Sequence, residues 1–452
     1  HSGQEDVKSL GEYIRRRFGN RPGLSRILNN FSWLLADRLV RMLVGTVVTV
    51  WMARYLGPAQ FGIISYALAL LTICASLGLL GLKDVAIRDM VQHPESRGDT
   101  LGAAAGLMSA GGIGAYVLLG AVVLLTRPDD QMVKLATLTI GASALFRFTD
   151  FGAYWFESQV QSKFVVIAQL SVFTVASAAK IVLIMIDAPL IAFVIAILVQ
   201  SIASSIATAA VFRFMKPADL RLGFQSGRAR RLLSESWPLW LSGAAMLVYM
   251  KIDQLMIASF WGDQAVGVYS AAVTVSEATF VIAVIVIATI FPSILASRKE
   301  GPEVYKARFQ QLFDFMVLLA IAIALPMTFL SGWIIGILFG PSYEAAGIVL
   351  TIHIWAAVFI FMGMAGYRWF VAEARPGLNL QRTLLGAVVN VVLNFMWIPK
   401  YELIGAAMAT IVAHFVASLL GDLMNAETRS LFKMKVAALN VPGAVLRLLR
   451  SL

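Results

Sequence analysis

Residues 32–62 read SWLLADRLVRMLVGTVVTVWMARYLGPAQFG, and their reading decides the fold class. Between Leu39 and Met52 the only charged residue is Arg41, and a run of about 20 apolar residues is what a helix needs to cross a hydrocarbon core of roughly 30 Å. Leu56-Gly57-Pro58 then breaks the run and the apolar pattern resumes, so the stretch predicts a spanning helix, a turn, and the start of the next helix. Arg38 and Arg41 lie inside the first of these. A charged side chain at mid-bilayer costs about 2.5 to 3.5 kcal/mol, so the two arginines must face a partner, water or a bound anion.

The same block pattern runs outward through the chain, which is 59% apolar and 14% charged over 452 residues. Twelve candidate spans follow: 31–55, 60–82, 101–126, 132–153, 164–186, 189–212, 237–260, 266–292, 312–336, 344–367, 382–399 and 403–424. The fold class is therefore an all-α polytopic membrane protein. Its expected segments are a basic amino-terminal stretch 1–30, a first six-helix lobe 31–212, a basic linker 213–236, a second lobe 237–424 and an amphipathic tail 425–452. Lys180 and Lys251 bring the intramembrane bases to four, and four unpaired ones would cost roughly 10 to 14 kcal/mol.

The remaining bases fix an orientation. The segments expected on one side hold 29 of the 37 Lys and Arg, while the other side holds Arg54, Arg127, Lys134 and Lys400. By the positive-inside rule the basic side is cytoplasmic and both termini lie there. This asymmetry accounts for most of the net charge of +11, so no nucleic acid is needed as a partner. Membrane lipids are partners instead. Arg15-Arg16-Arg17 and the tail from Leu431 read as interfacial amphipathic helices, attracted to anionic headgroups. No signal peptide is expected in the polar, basic first thirty residues. Cys74 is the sole cysteine, which rules out an intramolecular disulfide, and His353 and His414 each read as a satisfied core histidine. No cofactor or metal is expected.

The two halves resemble each other. Ser32-Trp33 recurs as Ser236-Trp237, 204 residues later, and residues 56–63 recur as 261–268, 205 later. Because six crossings return the chain to its starting side, the repeat is parallel, related by an axis along the membrane normal. The glycine-bearing tips around Gly57, Gly262, Gly340 and Gly405 fall at turns on the less basic side, where glycine supplies positive φ or close approach.

Three segments carry a family resemblance: 53–62; Lys251-Ile252-Asp253-Gln254-Leu255-Met256 with Gly267-Val268-Tyr269-Ser270; and Asn390-Val391-Val392-Leu393-Asn394 leading into Ile398-Pro399 and 405–410. They resemble the O-antigen-type (Wzx-like) polysaccharide flippases of the multidrug/oligosaccharidyl-lipid/polysaccharide exporter superfamily. That resemblance implies two parallel six-helix lobes around a central cationic cavity, alternating in access. It also implies an anionic lipid-linked oligosaccharide as cargo, carried on undecaprenyl pyrophosphate from the cytoplasmic to the outer leaflet for cell-surface polysaccharide biosynthesis.

The charged residues suggest where cargo would bind. Arg38, Arg41, Gly45 and Thr49 share one helical face, and Asp37, one turn before Arg41, can neutralise one arginine but not both. Lys251 and Glu277 lie at equal depth on neighbouring spans, so they can pair across the hairpin, and a proton or sodium ion at Glu277 would free Lys251. Asp253 points elsewhere and suits another cation or a coupling ion. Lys180 ends a polar stripe of Ser171, Thr174 and Ser177. Arg147 stands among Phe146, Phe148, Phe151, Tyr154, Trp155 and Phe156, either snorkelling from an interfacial belt or at a sugar-gripping mouth. Asn390 and Asn394 read as interhelical glue.

Two rival functions are weighed. A multidrug or cation antiporter of the same superfamily would need intramembrane acids to outweigh bases, and here they do not. A polyprenyl-sugar transferase or acyltransferase would need a catalytic cluster at a watery face. The paired acids Asp129-Asp130 sit beside Pro128 as a solvated turn, so no enzyme is expected.

Overall fold

The computed structural model describes residues 22–78, 81–217 and 220–450, which are helical almost throughout with no β-strand among the described residues. The expected interfacial helix at Arg15 to Arg17 lies outside them. The first half contains α1 (Pro22–Gly78), α2 (Leu82–Gln92), α3 (Arg97–Thr126), α4 (Gln131–Gly141), α5 (Phe151–Ser158), α6 (Lys163–Met185) and α7 (Leu190–Met215). The second contains α8 (Ser226–Ala278), α9 (Phe280–Ser297), α10 (Pro302–Phe339), α11 (Ala346–His353), α12 (Ala356–Ala372) and α13 (Pro376–Ser418), followed by tail helices α14 (Arg429–Leu439) and α15 (Val441–Leu449). Among the described residues seven continuous helical stretches are long and apolar enough to cross a membrane, or eight when α11 and α12, bent by 42°, are taken together. The expected span 132–153 is not one regular helix, because α4 passes through a 3-10 run, Ala142–Asp150, into α5.

Three helices are too long for a single crossing. At 1.5 Å per residue α1 would extend about 85 Å, against a core of roughly 30 Å. Its helical geometry breaks at Gly57 (φ 72°, ψ 168°), and α8 breaks at Gly262 (φ 76°, ψ −177°). These are the repeat-equivalent glycines, in one backbone conformation that a side chain would strain. α13 breaks at Glu402 (φ 52°), three residues after Pro399.

The tips gather at one end of the bundle and join the halves there. Tyr343 donates from its hydroxyl to the Ala53 carbonyl at 2.7 Å, and the Arg54 guanidinium donates to the Ile337 carbonyl at 3.0 Å. Arg127, at the end of α3, donates to the Ala258 carbonyl at 2.6 Å, reaches the Asp263 carboxylate at 3.2 Å and lies over the Tyr66 ring. One hydrophobic core spans both halves at this end, mixing Phe61, Ile64 and Phe193 with Ile257, Tyr269 and Phe339.

At the basic end the cores separate. One, around Trp155, Phe156 and Phe212, belongs to the first half, and another, around Phe309, Phe313 and Phe361, to the second. A small third core fastens only the start of α8, through Ala229 and Leu232, to α2 and α3. Arg228 reinforces it, reaching Asp89 at 2.9 Å and Thr100 at 2.7 Å. Two lobes that share a core at one end and keep separate cores at the other, tied there through the start of α8, define a candidate cleft on the basic side.

The tail differs from the interfacial helix expected of it. Lys435 is fully buried, donating to the Asp422 carboxylate and the Ser418 carbonyl, both at 2.6 Å, while Asp422 also pairs with Arg382 at 3.1 Å. Burial draws the Lys435 ammonium pKa down to about 7 even with Asp422 beside it. Arg447 makes two 2.7 Å bonds to Asp314 on α10. Buried acids on the second lobe thus dock α14 and α15 onto protein, and Val445, Leu446 and Leu449 remain exposed on the outer face of α15.

Candidate transport cleft

Helix α1 presents two unlike faces in its basic-side half. Trp33, Val40, Val44, Val47 and Trp51 are exposed along one face, as lipid contact requires. Arg38, Arg41, Gly45 and Thr49 occupy the opposite face, where Gly45 meets the Phe173 ring of α6. Asp37 accepts from Arg41 Nε at 2.7 Å, and the Arg41 guanidinium stands 5.3 Å from the Phe173 centroid. Its Nη2 is buried with no hydrogen-bond partner. Arg38 is exposed and has no ion-pair or hydrogen-bond partner among the described residues. One carboxylate therefore serves one arginine, and the other presents an uncompensated guanidinium.

Across the cleft, Lys251 Nζ lies 3.0 and 3.3 Å from the two Glu277 carboxylate oxygens, with both side chains partly exposed. Glu277 sits one residue before α8 ends, where the chain turns at Thr279 and resumes as α9. Asp253 faces away into the lobe, as expected two residues from Lys251. Among the described residues it makes no ion pair; it accepts from the Tyr269 hydroxyl and from the Gln254 amide at 2.8 Å. Next to Glu277, Ser276 is 2.9 Å from His353 Nδ1, whose ring stands edge-on to Tyr269. His414 is buried against Tyr249 with ring centroids 4.3 Å apart.

Other expected residues lie apart from this pair of sites. Lys180 donates to Gln200 on α7 at 2.8 Å within the first lobe. Arg147 is half exposed, 3.5 Å from Asp150 at the basic end. Two of the aromatics around it leave the expected interfacial belt for the protein core: Trp155 packs edge-on to Phe212, as Phe151 does, and Phe156 is wholly buried against Trp155, while Phe148 stays exposed. Asn390 and Asn394 are not interhelical glue either. One turn apart and fully buried, they bond each other at 3.1 Å.

Sequence reasoning missed Phe173, Tyr269 and Ser276. Tyr269 stood in the quoted Gly-Val-Tyr-Ser motif, but no spacing rule connects it to Asp253, which lies on the other limb of α8. Among the described residues no group of three His, Cys, Asp or Glu is placed to hold a metal ion. The arrangement offers cations for an anion and a breakable ion pair, which suits binding and release.

Known proteins place this geometry. Over 395 residues the chain is 24% identical to the probable flippase AglR of Haloferax volcanii, covering 83% of this chain and 79% of that protein. It is 29% identical to the probable low-salt glycan biosynthesis flippase Agl15 of the same organism, over 42% of this chain and 41% of that one. The chain spans 40 to 46% of the length of three of the curated relatives it matches. Its fold is shared with the lipid II flippase MurJ in an inward closed conformation (TM-score 0.68, 13% identity, 92% of this chain and 95% of that one). It is shared equally with an inward-facing multidrug resistance MATE transporter of the MOP superfamily (0.67, 14%, 87% and 96%). The MatE family matches residues 238–396, and the polysaccharide biosynthesis protein family matches residues 27–297, more than half of the sequence. The chain belongs to the polysaccharide biosynthesis protein family, on the two-lobed fold of the MOP superfamily.

Proposed function

We propose that this protein is a flippase for an anionic lipid-linked oligosaccharide, turning it from the basic, cytoplasmic leaflet to the opposite one by alternating access of the cleft. The observation that carries the reading is the unpartnered Arg38 beside a half-satisfied Arg41, on the polar face of a membrane helix. An uncompensated guanidinium there is costly unless an anion meets it, and its planar fork suits phosphate oxygens. The cargo group is a polyprenyl pyrophosphate, undecaprenyl in a bacterium, whose tail stays in lipid while the sugar crosses. Lys251 is a second anion contact, held in reserve by Glu277, and a proton or sodium ion on Glu277 releases it. Lys180 and Arg147 are secondary anion contacts along the path, and Asp253 is a coupling residue rather than a cargo contact. An inside-negative potential favours outward movement of an anion by about 2.3 kcal/mol per charge per 100 mV. No covalent change is involved. The relatives named as flippases support the reading, and intramembrane acids do not outweigh bases, as a cation antiporter would need.

The test is reconstitution in liposomes with a fluorescent polyprenyl-pyrophosphate oligosaccharide and a membrane-impermeant quencher. Faster loss of the protected fluorescence than in empty liposomes is expected. Transport of a cationic dye with no movement of the lipid-linked sugar would instead support an antiporter.

A further inference from the structure

Away from the cleft, the basic end of the second lobe carries a groove of about 300 Å³ between α9, α10 and the tail. Its floor is apolar, made by Ile290, Ile294, Leu312 and Phe315, and its rim carries Arg308 and Gln311. A shallower space of about 530 Å³ adjoins it, bordered by Arg308, by Arg450 just beyond α15, and by Glu303. The polarity changes along the membrane normal. Arg308 belongs to the part of α10 that precedes the expected span 312–336, and Phe315 lies about 10 Å deeper at 1.5 Å per residue. The groove therefore runs from headgroup depth into hydrocarbon depth.

Among the described residues the cations at this place lack carboxylate partners, unlike several others at the basic end. Arg298, Arg375, Arg382 and Arg447 each pair with a carboxylate. Arg308 donates only to the Gln311 side chain, at 3.3 Å, and Arg450 has no ion-pair partner among the described residues. With Glu303 counted, the space keeps one net positive charge. The exposed Leu446 and Leu449 turn the neighbouring face of α15 toward acyl chains.

We propose that this groove is a binding site for an anionic glycerophospholipid of the basic leaflet, its phosphate between Arg308 and Arg450 and an acyl chain along Ile290 and Phe315. The lipid would bridge α10 and α15, completing the docking that Arg447 and Asp314 begin. The inference does not depend on what the cleft transports.

Native mass spectrometry of the purified full chain, titrated with phosphatidylglycerol or phosphatidylcholine of matched chains, tests it. Phosphatidylglycerol should bind about tenfold more tightly. Arg308→Ala with Arg450→Ala should abolish that preference, and Arg308→Lys with Arg450→Lys should retain part of it. Ile290→Trp, which fills the floor and leaves both arginines, should weaken both lipids. Equal preference in the wild type and the Ala double variant overturns the site. Glycerol 3-phosphate displacing phosphatidylglycerol at equal concentration would reduce it to a plain anion site. Tighter binding of a polyprenyl phosphate at the same residues would overturn the phospholipid assignment in favour of the cargo.

Discussion

Gly62 and Gly267 press their bare backbones against each other's turns. A Cβ on Gly62 would sit 1.7 Å from the Asp263 carbonyl oxygen, and one on Gly267 would sit 1.9 Å from the Pro58 carbonyl oxygen. Gly267 follows Gly62 by 205 residues and Asp263 follows Pro58 by the same 205, so the two contacts are one contact repeated by the internal symmetry. The seal between the lobes therefore lies on the pseudo-twofold axis, at the end opposite the cleft mouth.

A methyl group at either glycine cannot enter without parting the hairpins. Gly62→Ala and Gly267→Ala should each shift the lobes toward opening at this end, and Arg127→Ala should do so more mildly by removing its bonds to Ala258 and Asp263. Spin labels at Gln131 and Glu344, both exposed near this end, should report a longer distance in the glycine variants. An unchanged distance distribution would show that the seal is not what holds this state.

Lys251 and Glu277 form one unit if the ion pair gates substrate. Lys251→Ala and Glu277→Gln should then be non-additive for transport in a double-mutant cycle, with a coupling of about 0.5 to 3 kcal/mol. Additive losses would assign the two residues separate roles.

The two arginines of α1 should behave differently from each other. Arg38→Gln should reduce flipping while protein abundance stays near wild type, because no partner is stranded. Arg41→Gln should reduce both, since Asp37 loses its counter-charge. Lysine should rescue Arg38 only in part, because the fork is lost. Full flipping activity in Arg38→Gln at normal abundance would falsify its place on the substrate path.

Asp422 stands between two buried cations, so the direction of damage is set. Asp422→Asn should cost about 3 to 5 kcal/mol and lower the melting temperature, as Arg382 and Lys435 are left without an anion. Lys435→Met keeps the Arg382 pair and should melt close to wild type. The reverse ranking would contradict the buried triad.

Orientation is checked by labelling. Cysteines replacing Ser226 and Lys299, both exposed, should react with impermeant reagent only from the cytoplasmic side, and one replacing Gln264 only from outside. Labelling of Gln264 and Ser226 from one side would refute the assigned topology.

Much of the site could be read locally. The Asp37–Arg41 bond follows from a four-residue step on a helix, and the Lys251–Glu277 bond from equal depth on adjacent spans; the structure places both within 3.0 Å. The turn at Gly57 and its copy at Gly262 were legible for the same reason, since glycine and proline act on the chain beside them. Asn390 and Asn394 show the limit of spacing, which brings them onto one face but does not say that they bond each other once and leave Asn390 Nδ2 and Asn394 Oδ1 buried without a partner among the described residues. Tail docking was equally invisible. An amphipathic helix serves a lipid surface or a protein surface alike, and only the positions of Asp314 and Asp422 distinguish the two.

By itself, then, the sequence determined the helical membrane class, the basic side and the repeat, because apolar run length, charge bias and glycine turns depend on composition and short-range geometry. The tertiary structure decided which arginine lacks a partner, where the lobes touch and where they part. Those depend on residues brought together across more than a hundred positions, as Arg127 meets Asp263, and no periodicity along the chain encodes such a distance.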